Sequence, residues 1–226
     1  MPAPDAQAHA AGPQAAARED LCRLLAACYY EPGPEFGEER VFDQMLAAAE
    51  TLGAELADPV RRLRAAHAGV DALDLLVDYT RLFLGPPQAL ARPYASVWLT
   101  GESSLMQDET MQVLRLYEQG GMQIDGDFKE LPDHVAVELE FLYLLVHQEN
   151  QAVQANDAAA LQALQALRTA FLDGHLGRWL NPFILAVQQG AQTAFYQVLA
   201  ELTDVFVRLE ARRAVATGEA IPPAVH

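Results

Sequence analysis

The sequence predicts an all-α protein with eight or nine helices and no β-sheet, and three observations carry that prediction. Apolar residues recur at three- and four-residue steps from Arg18 to Arg213. The interruptions are clusters of Gly, Pro, Asp and Asn, residues that stop or cap helices. No pair of alternating segments flanks a two-residue turn, so neither a strand pair nor a hairpin is indicated. There is no heptad register and no long-period repeat. The reading is one helical domain over 18–213, divisible into lobes 18–125 and 126–213, between disordered segments 1–17 and 214–226.

Each element follows from its own signals. Leu21, Leu24, Leu25 and Cys28 define a first helix that ends at Glu31-Pro32-Gly33-Pro34. A second spans about 38–52, with Phe42, Met45, Leu46 and Ala49 on one side. Asp58-Pro59 reads as a cap followed by a first-turn proline, opening a third helix to about His67. Asp71 opens a fourth, ending near Leu84. Residues 85–104 are the longest non-periodic stretch, a loop with three prolines and the rings of Tyr94 and Trp98. Helix resumes from about Leu105 to Glu118 and stops at Gly120-Gly121. Pro132 then starts the most apolar helix, about 133–153, whose two apolar faces predict a buried central position. Asn156-Asp157 caps the next, and two more fill 178–189 and 192–213.

Composition narrows the function. The 226 residues carry 31 acidic against 15 basic side chains, for a net charge of −16. Such a surface repels phosphate, which argues against nucleic acid, and attracts a cationic partner. Cys22 and Cys28, six apart on one helix, face different ways and are not expected to pair, which suits a reducing compartment. The first twenty residues lack the basic and apolar regions of a leader, and the longest apolar run, Leu24 to Tyr30, falls short of the ~20 residues of a membrane span. A cytoplasmic location is expected.

Catalytic templates are absent: no phosphate loop, dinucleotide fingerprint, nucleophile elbow, H-E-x-x-H or paired E-x-x-H occurs. Three constellations remain. Leu75, Leu76, Tyr79, Leu82 and Phe83 form a stripe on the fourth helix whose plain reading, taken alone, is core packing. The loop segment Pro93-Tyr94-Ala95-Ser96-Val97-Trp98 offers two rings with polar ends, or else a loop pinned to the body by Trp98. Leu131-Pro132-Asp133-His134 begins the central helix, where Pro and Asp suit a helix start but His134 has no local explanation.

In this order, Tyr79-Thr-Arg-Leu82-Phe83-Leu-Gly85-Pro86, Pro93-Tyr94-x-Ser96-x-Trp98 and Pro132-Asp133-His134-x-Ala136-x-Glu138-Leu139-Glu140-Phe141 resemble the TorD/DmsD family of cytoplasmic redox-enzyme maturation chaperones. The resemblance covers roughly 18–150; the remainder shares only its helical character. Leu131 departs from the glutamate that many members carry before Pro-Asp-His. The resemblance implies an all-helical protein with no catalytic activity and no cofactor. It implies binding of the twin-arginine leader, the body, or both, of a molybdenum oxidoreductase subunit until cofactor loading and export. The residues it points to are Tyr79, Leu82, Phe83, Tyr94, Ser96, Trp98, Asp133, His134 and Glu138. A cationic-then-apolar leader needs an apolar groove with aromatic anchors and an acidic rim, and Asp133, Glu138 or Glu140 would meet its arginines if exposed. Trp98 is expected to be an exposed anchor and Phe83 partly structural. His134 is expected to hydrogen-bond a partner backbone or Tyr, Ser or Glu side chains lining the groove, and to matter little for stability.

Three other readings compete. A helical metal-binding or enzymatic bundle would use His134, Glu138, Glu140 and His147. A nucleotide-binding module lacks a phosphate-cradling loop. A nitrate-reductase-type assembly chaperone would share the fold and differ in client, and the Pro-Asp-His segment leans away from it.

Overall fold

The computed structural model describes residues 12–33, 36, 40–85, 89–100, 108–124 and 130–218. Helix α1 (Pro13–Ala27) packs against α2 (Val41–Leu52) and α7 (Val135–Gln154). Helix α3 (Ala54–Ala68) lies between α2 and the long α10 (Ala194–Gly218). Helix α4 (Ala72–Tyr79) continues into a π-helical turn, Thr80–Leu84, and α5 (Ala95–Thr100) precedes α6 (Asp108–Gln119). Helix α8 (Ala158–Phe171) runs through a second π turn (Leu172–Leu176) into α9 (Gly177–Gly190), which packs on α10. Counting α8 to α9 as one rod gives nine helices among the described residues, which contain no strand. The fold class is all-α, as the sequence predicts.

Helix α7 is central because both of its faces are apolar. Val135, Leu139, Leu142 and Val146, and also Val137, Phe141 and Leu145, are all buried. Buried residues on either side of position 125 join one continuous core, from Ala17 to Val207. Cys22 and Cys28 are buried free thiols. No helix among the described residues is long and apolar enough to cross a membrane.

Several boundaries differ from the sequence reading. Helix α1 begins at Pro13, not near Arg18, and Ala17 is buried. The Ala-rich stretch read as disorder is good helix-forming sequence, and proline suits a first turn. Helix α10 likewise passes Arg213 to reach Gly218. Residues 1–11 and 219–226, the rest of the expected disordered ends, lie outside the described residues. Asp58-Pro59 is not a helix start. Helix α3 opens five residues before the proline, after Gly53, whose φ of 129° only glycine adopts readily. Pro59 sits in its second turn at the loss of one ladder bond. The expected loop over 85–104 contains α5, too short to show helical periodicity. Parts of that stretch, 86–88 and 101–104, lie outside the described residues.

Candidate functional site

The site forms where the end of α1, the π turn of α4, the α5 segment and the start of α7 converge. Helix α4 is capped by Asp71, whose Oδ1 accepts from the Leu73 amide at 2.8 Å. At its far end the π turn leaves carbonyls without helical partners. Those of Arg81 and Leu82 accept from the amides of Leu90 and Ala91 instead, drawing the following segment back along the helix. That segment then pairs with the start of α7: Val135 N donates to Pro93 O at 2.8 Å and Ala95 N to Asp133 O at 2.9 Å. Tyr94 and His134 face each other across this bridge.

Asp133 and His134 cap two different helices. The Asp133 carboxylate accepts from the Ser96 amide at 3.0 Å and so caps α5 from another part of the chain. His134 is the N-cap of α7, and its Nδ1 accepts from Ala136 N at 3.1 Å. An acceptor at Nδ1 requires a neutral ring there. Burial favours the same form, pushing the imidazole down to about 4. The sequence reading places Asp133 in the first turn of the central helix and gives His134 a bond to a partner backbone or to Tyr, Ser or Glu side chains of a groove. Both residues instead satisfy backbone amides within the fold, and both are buried. His134 therefore carries structural weight that the sequence reading did not assign it.

The other candidates divide clearly. Leu82 and Phe83 are core residues, with Phe83 edge-on to Tyr29 and Tyr196. Ser96 is buried. Trp98 is half-buried, its indole N–H donating to Arg92 O at 2.8 Å and its ring edge-on to Phe183. That is the geometry of a pinned loop rather than a free anchor. Glu138 is fully buried and accepts from His175 Nε2 at 2.7 Å and Trp179 Nε1 at 3.0 Å. Burial raises the pKa of Glu138; burial alone would lower that of His175, but the Glu138 carboxylate more than offsets this and raises it. Neither Asp133 nor Glu138 meets the condition of exposure set for binding an arginine.

What reaches the surface is a ring of tyrosines and carboxylates over His134. Tyr30 stacks on the imidazole, with ring centroids 6.0 Å apart and planes 9° apart, and donates to Glu140 Oε1 at 2.8 Å. Tyr94 stands edge-on to the same ring, 5.2 Å away, and donates to Glu130 Oε2 at 3.1 Å. Tyr79 lies below, within electrostatic reach of Glu130 and Glu31. The hydroxyls of all three tyrosines are held well above the usual range, by burial first and by these carboxylates next. Among the described residues, every charged group that perturbs these tyrosines is acidic. Lys129, the chain's single lysine, lies outside the described residues. Tyr30, Tyr94, Glu130 and Glu140 are only partly buried. Aromatic faces beside negative charge suit a guanidinium.

Sequence reasoning missed Tyr30, Glu31 and Glu130. Tyr30-Glu31 sits where α1 ends, 110 residues from Glu140, and no local pattern signals that meeting. Glu130 stands one position before the Leu131-Pro132-Asp133-His134 segment. The four proposed metal ligands are not gathered. His134 caps α7, His147 bonds Glu19 at 2.7 Å, and no group of three or more His, Cys, Asp or Glu side chains among the described residues is placed to hold a metal ion.

The chain is similar to a described family and to known proteins. A family model described as nitrate reductase delta subunit matches residues 48–185. The chain is 34% identical over 177 residues to the chaperone protein TorD of Photobacterium profundum, covering 75% of this chain and 80% of that one. It is 31% identical over 172 residues to a TorD of Vibrio cholerae, covering 76% of each. A solved structure from Archaeoglobus fulgidus, assigned as a redox enzyme maturation protein, aligns over 87% of this chain and 92% of its own at 24% identity, with a TM-score of 0.48.

Proposed function

From the premise that the chain belongs to the nitrate reductase delta subunit family and is, like its TorD relatives, a chaperone and not an enzyme, we propose that it serves a molybdenum oxidoreductase. It binds the twin-arginine leader of the catalytic subunit precursor, and the subunit's body with it, and keeps the client in the cytoplasm until its cofactor is loaded and export follows. The observation that carries the leader-binding part is the tyrosine and carboxylate ring over His134. Tyr30 and Tyr94 offer partly exposed aromatic surface, with Tyr79 buried behind them, while Glu130, Glu140 and Glu31 supply charge. Two adjacent arginines present two planar cations, and such groups pair with carboxylates and stack on rings. The net charge of −16 speeds their approach.

The test is calorimetry with a synthetic peptide carrying two adjacent arginines followed by an apolar stretch. Binding is expected in the micromolar range or tighter, about −8 kcal/mol, and to weaken with added salt. Glu130→Gln together with Glu140→Gln removes two partly exposed carboxylates and should weaken it roughly tenfold or more, since a hydrogen bond to a charged group contributes about 1.5–3 kcal/mol. A peptide with both arginines replaced by glutamine that binds the wild-type protein equally well refutes the reading.

A further inference from the structure

Glu138 ties the helix that bears His134 and Glu140 to a separate part of the fold. It stands one turn into α7, its amide donating to His134 O at 3.0 Å. Its two carboxylate oxygens accept from His175 Nε2 at 2.7 Å and Trp179 Nε1 at 3.0 Å. Both donors belong to the α8–α9 rod, His175 in the π turn and Trp179 in the first turn of α9. A π turn within a helix is often found at functional positions, and this one carries the imidazole that meets α7. Trp179 reaches the tyrosine ring by a second route. It packs on Phe183, with ring centroids 5.6 Å apart. Phe183 in turn meets Trp98 of α5 at 6.3 Å and Tyr29, the neighbour of Tyr30, at 5.9 Å. One buried node thus leads to all three segments that present the ring: the start of α7, the α5 segment and the end of α1.

A single proton decides the charge of this node. Asp133 and Glu138, on either side of the first turn of α7, are both fully buried, and each acts electrostatically on His175. Arg178 on α9, the other cation that acts on His175, is exposed and opposes its protonation. Tyr117 of α6 faces both carboxylates, and its hydroxyl donates to Pro132 O at 2.7 Å. Burial first, and those carboxylates next, hold that hydroxyl well above its usual range, so it stays protonated. Burial alone would lower the pKa of His175, but Glu138 and Asp133 raise it on balance. With His175 charged, two buried carboxylates share one cation. With His175 neutral they lack it, and like charges repel strongly where the local dielectric is low. The repulsion bears on Asp133, whose hold on the Ser96 amide fixes α5 and with it Tyr94.

We propose that His175 and Trp179 are positioning residues of the arginine site, acting through Glu138, and that the protein holds the arginine pair more tightly when His175 carries its proton. This rests on the leader-binding reading above and adds to it a regulation by pH. His175 is charged at low pH and loses its proton as pH rises through a value above that of an ordinary histidine, so affinity falls across that rise. By linkage the converse holds: a bound leader raises the proton affinity of His175, and binding takes up protons from the buffer. The other groups around the site do not titrate in this range. His134, at about 4, is already uncharged, and the hydroxyls of Tyr30, Tyr79 and Tyr94 are held above their usual range.

The test is calorimetry on the full chain between about pH 6 and pH 9, where arginine keeps its charge. The titrant is an end-capped peptide with an arginine pair, an apolar run and no other titratable group. Buffers of different ionisation heat give affinity and proton uptake together. Wild type is expected to take up a fraction of a proton on binding and to lose about fivefold or more in affinity across the range. His175→Gln keeps an N–H donor toward Glu138 but cannot take a proton, so its affinity should stay flat, near the alkaline value of wild type. Trp179→Phe keeps a ring against Phe183 and loses the N–H, so it should weaken binding at every pH and retain the pH dependence. Wild type that takes up no proton, or a His175→Gln profile that follows wild type, overturns the coupling. Proton uptake is read on wild type, so the refutation does not depend on the variant folding. A Trp179→Phe protein that melts earlier yet binds as wild type does overturns its positioning role. Wild type that binds the peptide without pH dependence removes the coupling and leaves leader binding standing, whereas no binding at any pH overturns leader binding itself.

Discussion

Replacing His134 by alanine should destabilise the fold, and the structure gives the size of the effect. The side chain accepts the Ala136 amide at 3.1 Å, a cap whose loss typically costs about 1 kcal/mol. Its ring contacts Tyr30 and Tyr94 as well, and such pairs contribute about 0.5–1.5 kcal/mol each beyond area burial. The sum is about 2–4 kcal/mol, or about 4–16 °C in melting temperature for a chain of this length. His134→Asn keeps a capping acceptor and loses only the ring contacts, so it should recover about 1 kcal/mol of the loss. The same residue sets a pH dependence. Its folded value of about 4 lies below the roughly 6.5 of an unfolded histidine, so the unfolded chain binds the extra proton first as pH falls. Stability attributable to His134 is thus complete above about pH 6.5 and is lost on the way down to about pH 4, by up to about 3 kcal/mol. The Glu138–His175 pair titrates in both proteins, so the difference between wild type and His134→Asn isolates this contribution. Urea denaturation at closely spaced pH values between 4 and 7 measures it. An alanine variant that melts within about 1 °C of wild type, or asparagine no better than alanine, would show that the imidazole does not cap α7.

Two further outcomes test the packing around the site. Arg18 and Arg168 share Glu149 and Glu210 in a buried network that ties α1 to α7, α8 and α10. Glu210→Gln leaves those cations short of charge and should cost about 3–5 kcal/mol, read as a lowered urea midpoint. Gly120 ends α6 where an added Cβ would stand 2.5 Å from the Phe141 ring, itself held between Tyr117 and Phe171. Gly120→Ala should cost about 1–3 kcal/mol, and an alanine variant with wild-type melting would refute that clash.

The sequence makes the helices legible because their information is local. The 3.6-residue period, Asp71 and Asp157 as caps, and the apolar run of α7 each lie within a few turns of the chain. Its failures are equally physical. Asp58-Pro59 mimics a helix start because the same residues tolerate a second turn, and α5 is too short for a period to appear. The motifs that carry the family resemblance stay ambiguous in the sequence because rings and carboxylates look alike whether they bind or pack. Leu82, Phe83, Ser96, Asp133 and Glu138 prove to be buried support. Asp133 reaches another helix and Glu138 finds its partners on α9 and the turn before it, contacts separated by 37 to 41 residues.

That burial changes how the motif relates to binding. A recognition surface made of partly exposed Tyr30, Tyr94, Glu130 and Glu140 needs its rings and carboxylates held at fixed positions. Each of those positions depends on the buried residues beneath. His134 sets the planes of both tyrosines, Asp133 fixes α5 and with it Tyr94, and the carbonyls of the π turn fix the segment that carries them. Substitutions in the motif should therefore affect binding through stability and placement together, whereas Glu130 and Glu140 should affect binding with little change in melting. The separation of those two behaviours distinguishes a scaffold from the surface it presents.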